Sequence, residues 1–217
     1  MHKLDYRHFI IGTILSLAIA VVFLGFSFGL GKNEFFLWLN TDLGKAADYF
    51  FAAWTYTGDG LIWIAVLAVL VWLKRTDALP LTIASFTWST LFTQVCKYII
   101  VPDEPRPIKA IADTSQIHTV PGVELHLISS FPSGHTTTAF TLYLLFCLVL
   151  PARWWLGAGL LYALLVGYSR VYLAQHFPLD VAAGMITAVV SVALSVPVQN
   201  WWAKRAQKTT HSAQQAG

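Results

Sequence analysis

An uncharged apolar run at residues 9–31 constrains the fold of this 217-residue chain more than any other feature. A helix needs roughly 20 apolar residues to cross the hydrocarbon core of a bilayer, and this run is long enough. Similar runs follow at residues 61–73, 78–96, 133–152, 154–169 and 181–202. The run at 61–73 is short, but it becomes a span if its helix begins near Thr57 and holds Asp59 at the interface. The sequence therefore predicts an all-α, polytopic membrane protein with six transmembrane helices.

The basic residues indicate how these helices are oriented. The net charge of +3 could suggest a nucleic-acid partner, but the positive residues lie beside the ends of the predicted helices. With six crossings, one side of the membrane receives Lys3, Arg7, Lys74, Arg75, Arg153, Lys204, Arg205 and Lys208. The positive-inside rule makes that side the cytoplasm. We therefore expect a multi-pass protein of the cytoplasmic (inner) membrane, with both termini in the cytoplasm and no nucleic-acid partner.

The segments outside the predicted spans are less regular. Residues 32–56 mix aromatic side chains with charged ones, a composition that is typical of an amphipathic segment in the membrane interface. Residues 102–131 form a long polar connection, and we expect a loop there. The polar composition of residues 209–217 predicts a disordered tail. Residues 1–208 are thus expected to form a single membrane-embedded domain.

Ionisable residues collect at the membrane face opposite the basic ends. The predicted helix at 78–96 ends next to Lys97, and the helix at 133–152 begins outside with His135 in its first turn. The helix at 154–169 ends next to Arg170, and His176 precedes the last helix. Charged residues near a membrane span are costly and usually functional. The topology therefore predicts one site at the outer interface.

The residue types at this site suit the transfer of a phosphoryl group. Arg106 and Arg170 can each bind phosphate oxygens with paired donors, and Lys97 adds a compact positive charge. Ser133 and Gly134 follow a proline at the predicted helix start. They are expected to offer free backbone N–H groups and the positive end of the helix dipole. We therefore assign all of these residues to phosphate binding.

Histidine and aspartate side chains supply the nucleophile and the proton transfers. A neutral His176 can attack phosphorus if Asp180, four residues later, accepts a hydrogen bond from its other ring nitrogen. His135 is then available to protonate the leaving group and later to activate water. The cationic side chains nearby would disfavour a metal ion held by these three residues, so we expect neither a metal nor a cofactor.

These motifs resemble those of the type 2 phosphatidic acid phosphatase superfamily, a family of integral membrane lipid phosphatases. The first motif of the family, Lys followed by Arg-Pro, corresponds to Lys97 and Arg106-Pro107, although eight residues separate them here and the family usually has fewer. The second motif, Pro-Ser-Gly-His, is present at residues 132–135. The third motif combines Ser-Arg with a downstream His and Asp, and it is matched by Ser169, Arg170, His176 and Asp180.

The resemblance implies a lipid phosphatase that hydrolyses a phosphate monoester or diphosphate through a phosphohistidine, without a metal, on the periplasmic or extracellular side. Its substrate would be a lipid phosphate such as phosphatidate, phosphatidylglycerophosphate, undecaprenyl diphosphate or a lipid A phosphate. A lipid-to-lipid phosphotransferase shares the phosphohistidine half-reaction and is an alternative. A transporter is a weaker alternative, because polar residues of transporters are expected near the membrane midplane.

Other polar residues of the chain belong to no motif. His118 and His126 lie in the loop at 102–131 without partner spacing, and we expect solvated side chains for both. Asp59 lies between two glycines and is expected to start a helix.

Overall fold

The secondary structure of the chain is helical. A computed structural model describes residues 4–150 and 152–215, with side chains as far as residue 208. The α-helices in this part of the chain are α1 (Tyr6–Gly29), α2 (Lys32–Leu39), α3 (Lys45–Trp54), α4 (Ile62–Trp72), α5 (Leu79–Val95), α6 (Pro107–Ala110), α7 (Gly134–Val149), α8 (Trp154–Tyr172) and α9 (Pro178–Gln215). A π-helix, Cys96–Ile100, extends α5, and short 3-10 helices occur at Thr55–Gly58, Thr76–Ala78 and Thr114–Gln116. The described residues contain no strand, which confirms the predicted all-α class.

Each predicted span contains a helix, but these helices differ in length. By length and composition, two helices among the described residues can cross a membrane, Tyr6–Gly29 and the Pro178–Lys208 part of α9. A third span results if Lys45–Gly58 and Ile62–Trp72, which are bent by 63° relative to each other, count as one. The helix at Gly134–Val149 is apolar but shorter. The chain is therefore a membrane protein with two clear candidate spans and up to three.

The helix at the centre of the bundle is α7. It contacts α1, α5, α8 and α9, and its side chains from Thr136 to Val149 are buried except for the half-buried Thr138 and Phe146. A helix that is apolar on every face is expected in such an interior position. Its hydroxyl groups bond within the helix: Thr137 Oγ1 donates to the Ser133 carbonyl at 2.9 Å, and Thr141 Oγ1 donates to the Thr137 carbonyl at 2.7 Å. Such bonds let threonine occupy an apolar interior without an unpaired donor.

The two ends of α7 mark the two ends of the bundle. At its last turn, the Asp5 N–H donates to the α7 backbone at 2.9 Å and Arg75 Nη1 donates to the Val149 carbonyl at 3.1 Å. At its first turn, the Ser133 N–H donates to the carbonyl of Asp180 in α9 at 3.0 Å. The fold therefore separates the basic linker between α4 and α5 from the candidate site by the length of α7.

The segment after α1 folds as two short helices, α2 and α3, where the sequence predicts an amphipathic interfacial segment. In α2 the buried Phe36 ring packs edge-on against Phe177, with ring centroids 5.5 Å apart. In α3 the buried Phe51 ring packs against Tyr172, with centroids 4.8 Å apart. Aromatic contacts therefore fix both helices against the segment that follows Arg170.

The last helix runs further than the sequence suggests. The helix α9 continues to Gln215, although we expect a disordered tail at residues 209–217. Residues 216–217 lie outside the described residues. The domain boundary at residue 208 stays a prediction.

Close packing of α7 on α9 depends on Gly184. A Cβ on Gly184 would meet the Ser133 carbonyl oxygen at 2.9 Å, whereas a Cβ on Gly157 in α8 would meet nothing within 4 Å. Helix propensity alone favours alanine at both positions by about 1 kcal/mol. Because the backbone oxygen cannot move aside, we expect Gly184→Ala to lower the unfolding free energy by about 1–3 kcal/mol. The matched variant Gly157→Ala should leave it unchanged or raise it. Unfolding in detergent measures both, and equal responses would show that the α7–α9 contact tolerates a side chain.

Candidate active site

The chain passes from Arg170 to His176 through a tight turn at the end of α8. The Gln175 N–H donates to the Arg170 carbonyl at 2.9 Å, and the Ala174 N–H donates to the Val171 carbonyl at 3.0 Å. This pair of bonds is a Schellman motif, and Ala174 takes the left-handed conformation that the motif requires, with φ 54°. The His176 N–H also donates to the Arg170 carbonyl, at 3.0 Å. Local backbone bonds therefore hold His176 beside Arg170.

The carboxylate of Asp180, in the first turn of α9, is fixed by several partners. Its Oδ2 accepts from Ser130 Oγ at 2.5 Å and from the Phe177 N–H at 2.9 Å. His176 Nδ1 lies 3.4 Å from the same oxygen, and His176 and Asp180 are each 2% exposed. The two side chains that the sequence pairs therefore lie together in the interior, and Ser130 holds the carboxylate in place.

The neighbours of His176 select its tautomer. Nδ1 faces the Asp180 carboxylate, which is an acceptor, whereas Nε2 lies 3.5 Å from Arg106 Nη1, which can only donate. This arrangement favours a proton on Nδ1 and a lone pair on Nε2. Burial, and then the positive charges of Arg106 and Lys97, hold the pKa of His176 well below its usual range. The ring is therefore neutral at neutral pH, with its free lone pair beside a guanidinium.

Arg106 is anchored although it follows an irregular segment. Its Nε donates to the Ile128 carbonyl at 2.9 Å, and its Nη1 donates to the Gln175 carbonyl at 2.9 Å. The side chain is 7% exposed. The nearby Glu104 carboxylate is bonded to Lys32 Nζ at 2.9 Å, so this acidic group is directed to another partner. Neutral acceptors therefore position the Arg106 charge without cancelling it.

Arg170 is buried with an unsatisfied donor. Its Nη1 donates to Thr55 Oγ1 at 2.6 Å, but its Nε has no hydrogen-bond partner among the described residues. The side chain is 7% exposed. A buried charged donor without an acceptor is costly. The open Nε therefore marks a place for an additional acceptor, such as an oxygen of a phosphate.

Lys97 and His135 complete the cluster. Lys97 lies in the π-helix Cys96–Ile100, a feature that occurs frequently at functional sites, and it interacts electrostatically with Asp180 and both arginines. His135, in the first turn of α7, interacts electrostatically with the same arginines and with His176. The structure therefore brings together candidate residues that the sequence places at separate helix ends.

The start of α7 differs from the prediction in one respect. Gly134 is the first residue of α7, and Ser133 is its N-cap, with Oγ accepting from the Thr136 N–H at 3.4 Å. The Ser133 N–H is not free, because it donates to the Asp180 carbonyl at 3.0 Å. The expectation of a free Ser133 N–H is therefore wrong, since a carbonyl of the adjacent helix satisfies it. The assignment of Ser133 to phosphate binding then depends on its hydroxyl group, and that of Gly134 on its backbone.

Cavities reach the cluster from two sides. One cavity, of about 650 Å³, has walls that include Arg170, Gln175 and the loop residue Glu124. Another, of about 360 Å³, lies between α5 and α7, and Thr93 is part of its wall. His135 borders both cavities. A ligand at the cluster therefore has His135 as a neighbour from either side.

Sequence reasoning missed the residues that position the cluster. Asp180 accepts a hydrogen bond from Ser130. Arg106 donates to the Gln175 carbonyl, and Arg170 donates to the Thr55 hydroxyl. These positioning residues lie in loops and in a 3-10 helix, where no periodicity marks them. The available signal was proximity in sequence, because Ser130 lies just before the Pro-Ser-Gly-His motif and Gln175 precedes His176.

His118 also differs from the prediction, because it is not a solvated loop residue. Its Nε2 lies 3.1 Å from Asp48 Oδ1, and the side chain is 13% exposed. Its N–H donates to Asn40 Oδ1 at 2.7 Å, and Tyr172 Oη donates to Asp48 Oδ1 at 2.6 Å. His118 therefore fastens the long loop to α3 and α8, whereas the His126 side chain is 54% exposed as expected.

Known proteins resemble this chain in sequence and in structure. The family model of the PAP2 superfamily matches residues 78–204. An undecaprenyl-diphosphatase of Sulfolobus acidocaldarius is 30% identical over 188 residues, which are 86% of this chain and 87% of that protein. Undecaprenyl-diphosphatase BcrC of Bacillus subtilis is 32% identical over 99 residues, 44% of this chain and 47% of that protein. The crystal structure of Aquifex aeolicus LpxE aligns with a TM-score of 0.65 and 27% identity, over 75% of this chain and 92% of that chain.

The Arg170 Nε, which has no hydrogen-bond partner among the described residues, predicts that the site binds a tetrahedral oxyanion. We expect saturating orthovanadate or inorganic phosphate to raise the Tm of the detergent-solubilised protein by about 5 °C, because a ligand that binds only the folded state stabilises it. Arg170→Gln should abolish this shift, whereas the matched variant Arg153→Gln, at the other end of α8, should retain it. Thermal melts at increasing anion concentration measure the shift. A full shift in Arg170→Gln would contradict the assignment.

Proposed function

The chain belongs to the PAP2 superfamily, and on that premise we propose that it hydrolyses a lipid phosphate monoester or diphosphate through a phosphohistidine at His176. It is a membrane-bound hydrolase of phosphate esters or anhydrides. The observation that carries the proposal is the orientation of His176, with Nδ1 toward Asp180 and Nε2 toward Arg106. A neutral ring held in this way can attack phosphorus beside the cations that hold the phosphate.

The first half-reaction forms the phosphohistidine. Lys97 and the two arginines hold the phosphate oxygens, with the start of α7 at Gly134 beside them. The lone pair of His176 Nε2 forms a bond to phosphorus while the bond from phosphorus to the leaving oxygen breaks. A proton on His135 passes to that oxygen, and the Asp180 carboxylate stabilises the positive charge that develops on the His176 ring.

Water completes the cycle. His135, now neutral, accepts a proton from a water molecule whose oxygen attacks phosphorus, and the nitrogen–phosphorus bond breaks with its electron pair returning to His176 Nε2. Phosphate leaves, and His135 holds a proton again. We propose that no metal ion takes part, because Lys97, Arg106 and Arg170 supply the positive charge that a metal would bring.

The substrate that we favour is a polyprenyl diphosphate. The relatives from Sulfolobus acidocaldarius and Bacillus subtilis are named undecaprenyl-diphosphatases, which supports this choice. A diphosphate also presents more oxygens to the cationic cluster than a monoester does. Phosphatidate, phosphatidylglycerophosphate and lipid A phosphates carry the same group on an apolar anchor, so they are the comparison substrates.

We further propose that α1, α4, α5, α7, α8 and α9 each cross the inner membrane, within one domain of residues 1–208. Both termini would lie in the cytoplasm and the site on the periplasmic or extracellular side. The support is the separation along α7, since Arg75 contacts its last turn and His135 lies in its first. The positive-inside rule then places the basic end in the cytoplasm. The helices α2 and α3 would rest at the outer interface.

Removal of the nucleophile tests the mechanism. We expect His176→Ala to lower turnover by about 10³-fold or more, because the attacking atom is lost. Asp180→Asn should have a smaller effect, because it disturbs the tautomer and leaves Nε2 in place. Phosphate release from the polyprenyl diphosphate and from the comparison substrates, with excess chelator present, measures turnover. Rapid acid-free quenching of a reaction with labelled substrate should trap label on His176.

The control for this experiment is His8→Ala, at the opposite end of the bundle, which should retain activity. Full turnover by a folded His176→Ala protein, or label on a different residue, would overturn the mechanism. Activity that is lost in chelator and restored by a divalent cation would overturn the metal independence. A phosphorylated lipid acceptor in place of free phosphate would identify a phosphotransferase.

Cysteine labelling tests the sidedness. In a variant with Cys96 and Cys147 replaced by alanine, we expect Ser115→Cys to react with an impermeant maleimide in intact cells. Thr76→Cys, on the linker between α4 and α5, should react only after the membrane is permeabilised. Both positions are exposed, so burial does not explain a difference between them. The reverse pattern would place the site on the cytoplasmic side.

A further inference from the structure

The segment between α3 and α4 reaches the cluster at two points. Thr55, in the 3-10 helix Thr55–Gly58, accepts from Arg170 Nη1 at 2.6 Å. A Cβ on Gly58 would meet the His135 carbonyl oxygen at 3.0 Å, so this segment lies directly against the first turn of α7. Asp59 follows, and its Oδ2 lies 3.9 Å from His135 Nε2. The segment that contacts Arg170 therefore also presents a carboxylate to His135.

The two oxygens of Asp59 face different partners. Oδ1 accepts from the Leu61 N–H at 2.9 Å in the turn before α4, whose N-cap is Leu61 and not Asp59. Oδ2 faces His135, at a distance too long for a hydrogen bond but short enough for electrostatic attraction. The Asp59 side chain is 41% exposed and that of His135 is 27% exposed. Solvent therefore weakens the attraction without removing it.

The charges around His135 make this carboxylate important. Among the described residues, the groups that interact electrostatically with His135 are Asp59, Lys97, Arg106, His126, Arg170 and His176. Asp59 is the acidic member of this set, and the other members oppose a positive charge on the His135 ring. An acid that donates its proton to a leaving group must first carry that proton. The imidazolium form of His135 therefore needs a compensating negative charge.

We propose that Asp59 is a positioning residue for the reaction, which stabilises the protonated form of His135 and so supports proton donation to the leaving oxygen. This rests on the proposed acid role of His135. In the step concerned, the electron pair of the breaking phosphorus–oxygen bond goes to the leaving oxygen, the His135 proton joins that oxygen, and His135 becomes neutral. The Asp59 charge also attracts Arg170. An effect exerted through Arg170 would change the activity toward every phosphate substrate, whereas an effect exerted through His135 changes only the step that needs this proton.

The experiment compares leaving groups. Dodecyl phosphate releases an alkoxide that needs a proton, whereas 4-nitrophenyl phosphate releases a phenolate that does not. We expect Asp59→Asn to lower kcat/KM for dodecyl phosphate about tenfold, because general acid catalysis supplies roughly 10²–10⁴-fold and Asp59 supports only a part of it. The value for 4-nitrophenyl phosphate should change little. An asparagine side-chain oxygen can also accept from the Leu61 N–H, so this variant removes the charge and keeps the turn. Asp59→Glu should restore most of the activity toward dodecyl phosphate.

Two further variants separate the possible failures. Asp113→Asn makes the same charge change at an exposed loop position and should leave kcat/KM unchanged for both substrates. His135→Ala should show the same leaving-group dependence as Asp59→Asn but more strongly, and adding Asp59→Asn to it should not increase that dependence. If His135→Ala shows the dependence and Asp59→Asn does not, the role of Asp59 is wrong and the proposed function stands. If His135→Ala lowers kcat/KM equally for both substrates, the proposed acid role of His135 is wrong, and the role of Asp59 is wrong with it.

Discussion

The site depends on one buried carboxylate. Asp180 Oδ2 accepts from Ser130 Oγ and from the Phe177 N–H, and it lies 3.4 Å from His176 Nδ1. The backbone carbonyl of Asp180 also accepts from the Ser133 N–H at 3.0 Å, which joins the start of α7 to the start of α9. A negative charge is favourable in the first turn of a helix, so α9 helps to keep this carboxylate ionised in the interior. Removing the whole carboxylate group would leave several buried donors unpaired at once.

The cluster holds more positive than negative charge. Lys97, Arg106 and Arg170 share a largely buried region with Asp180, whose carboxylate is already bonded to Ser130. The guanidinium groups are positioned by backbone carbonyls, an amide and a hydroxyl group, which carry no negative charge. Nearby carboxylates attract these groups but do not balance the three positive charges. Uncompensated buried charge is costly, so a bound dianion would stabilise the protein as well as react in it. The same imbalance opposes binding of a cation.

The sequence predicted the residues of the cluster better than the positioning residues that hydrogen-bond to them. Lys97, His135, Arg170 and His176 lie at ends of predicted helices. The six predicted crossings would bring those ends to one face, so hydropathy alone predicts that these residues are close together. The supports depend on the path of loops. Arg106 is held by the Ile128 carbonyl, 22 residues away. His118 pairs with Asp48, 70 residues away, and no short-range spacing can reveal such a partner. The Ser133 error has a similar origin, because a helix start was treated in isolation from the helix that packs on it.

Two helices of the bundle, α4 and α7, are short, and each begins close to the candidate site. The helices Ile62–Trp72 and Gly134–Val149 are shorter than the roughly 20 residues that cross a bilayer. Non-helical backbone near membrane depth is tolerated where it is buried in protein or lines a cavity. The segment before α4 and the first turn of α7 meet this condition, because Thr55 and His135 both line the cavity of about 650 Å³. The backbone that precedes α4 and α7 at these ends therefore lines the candidate site and does not extend either helix.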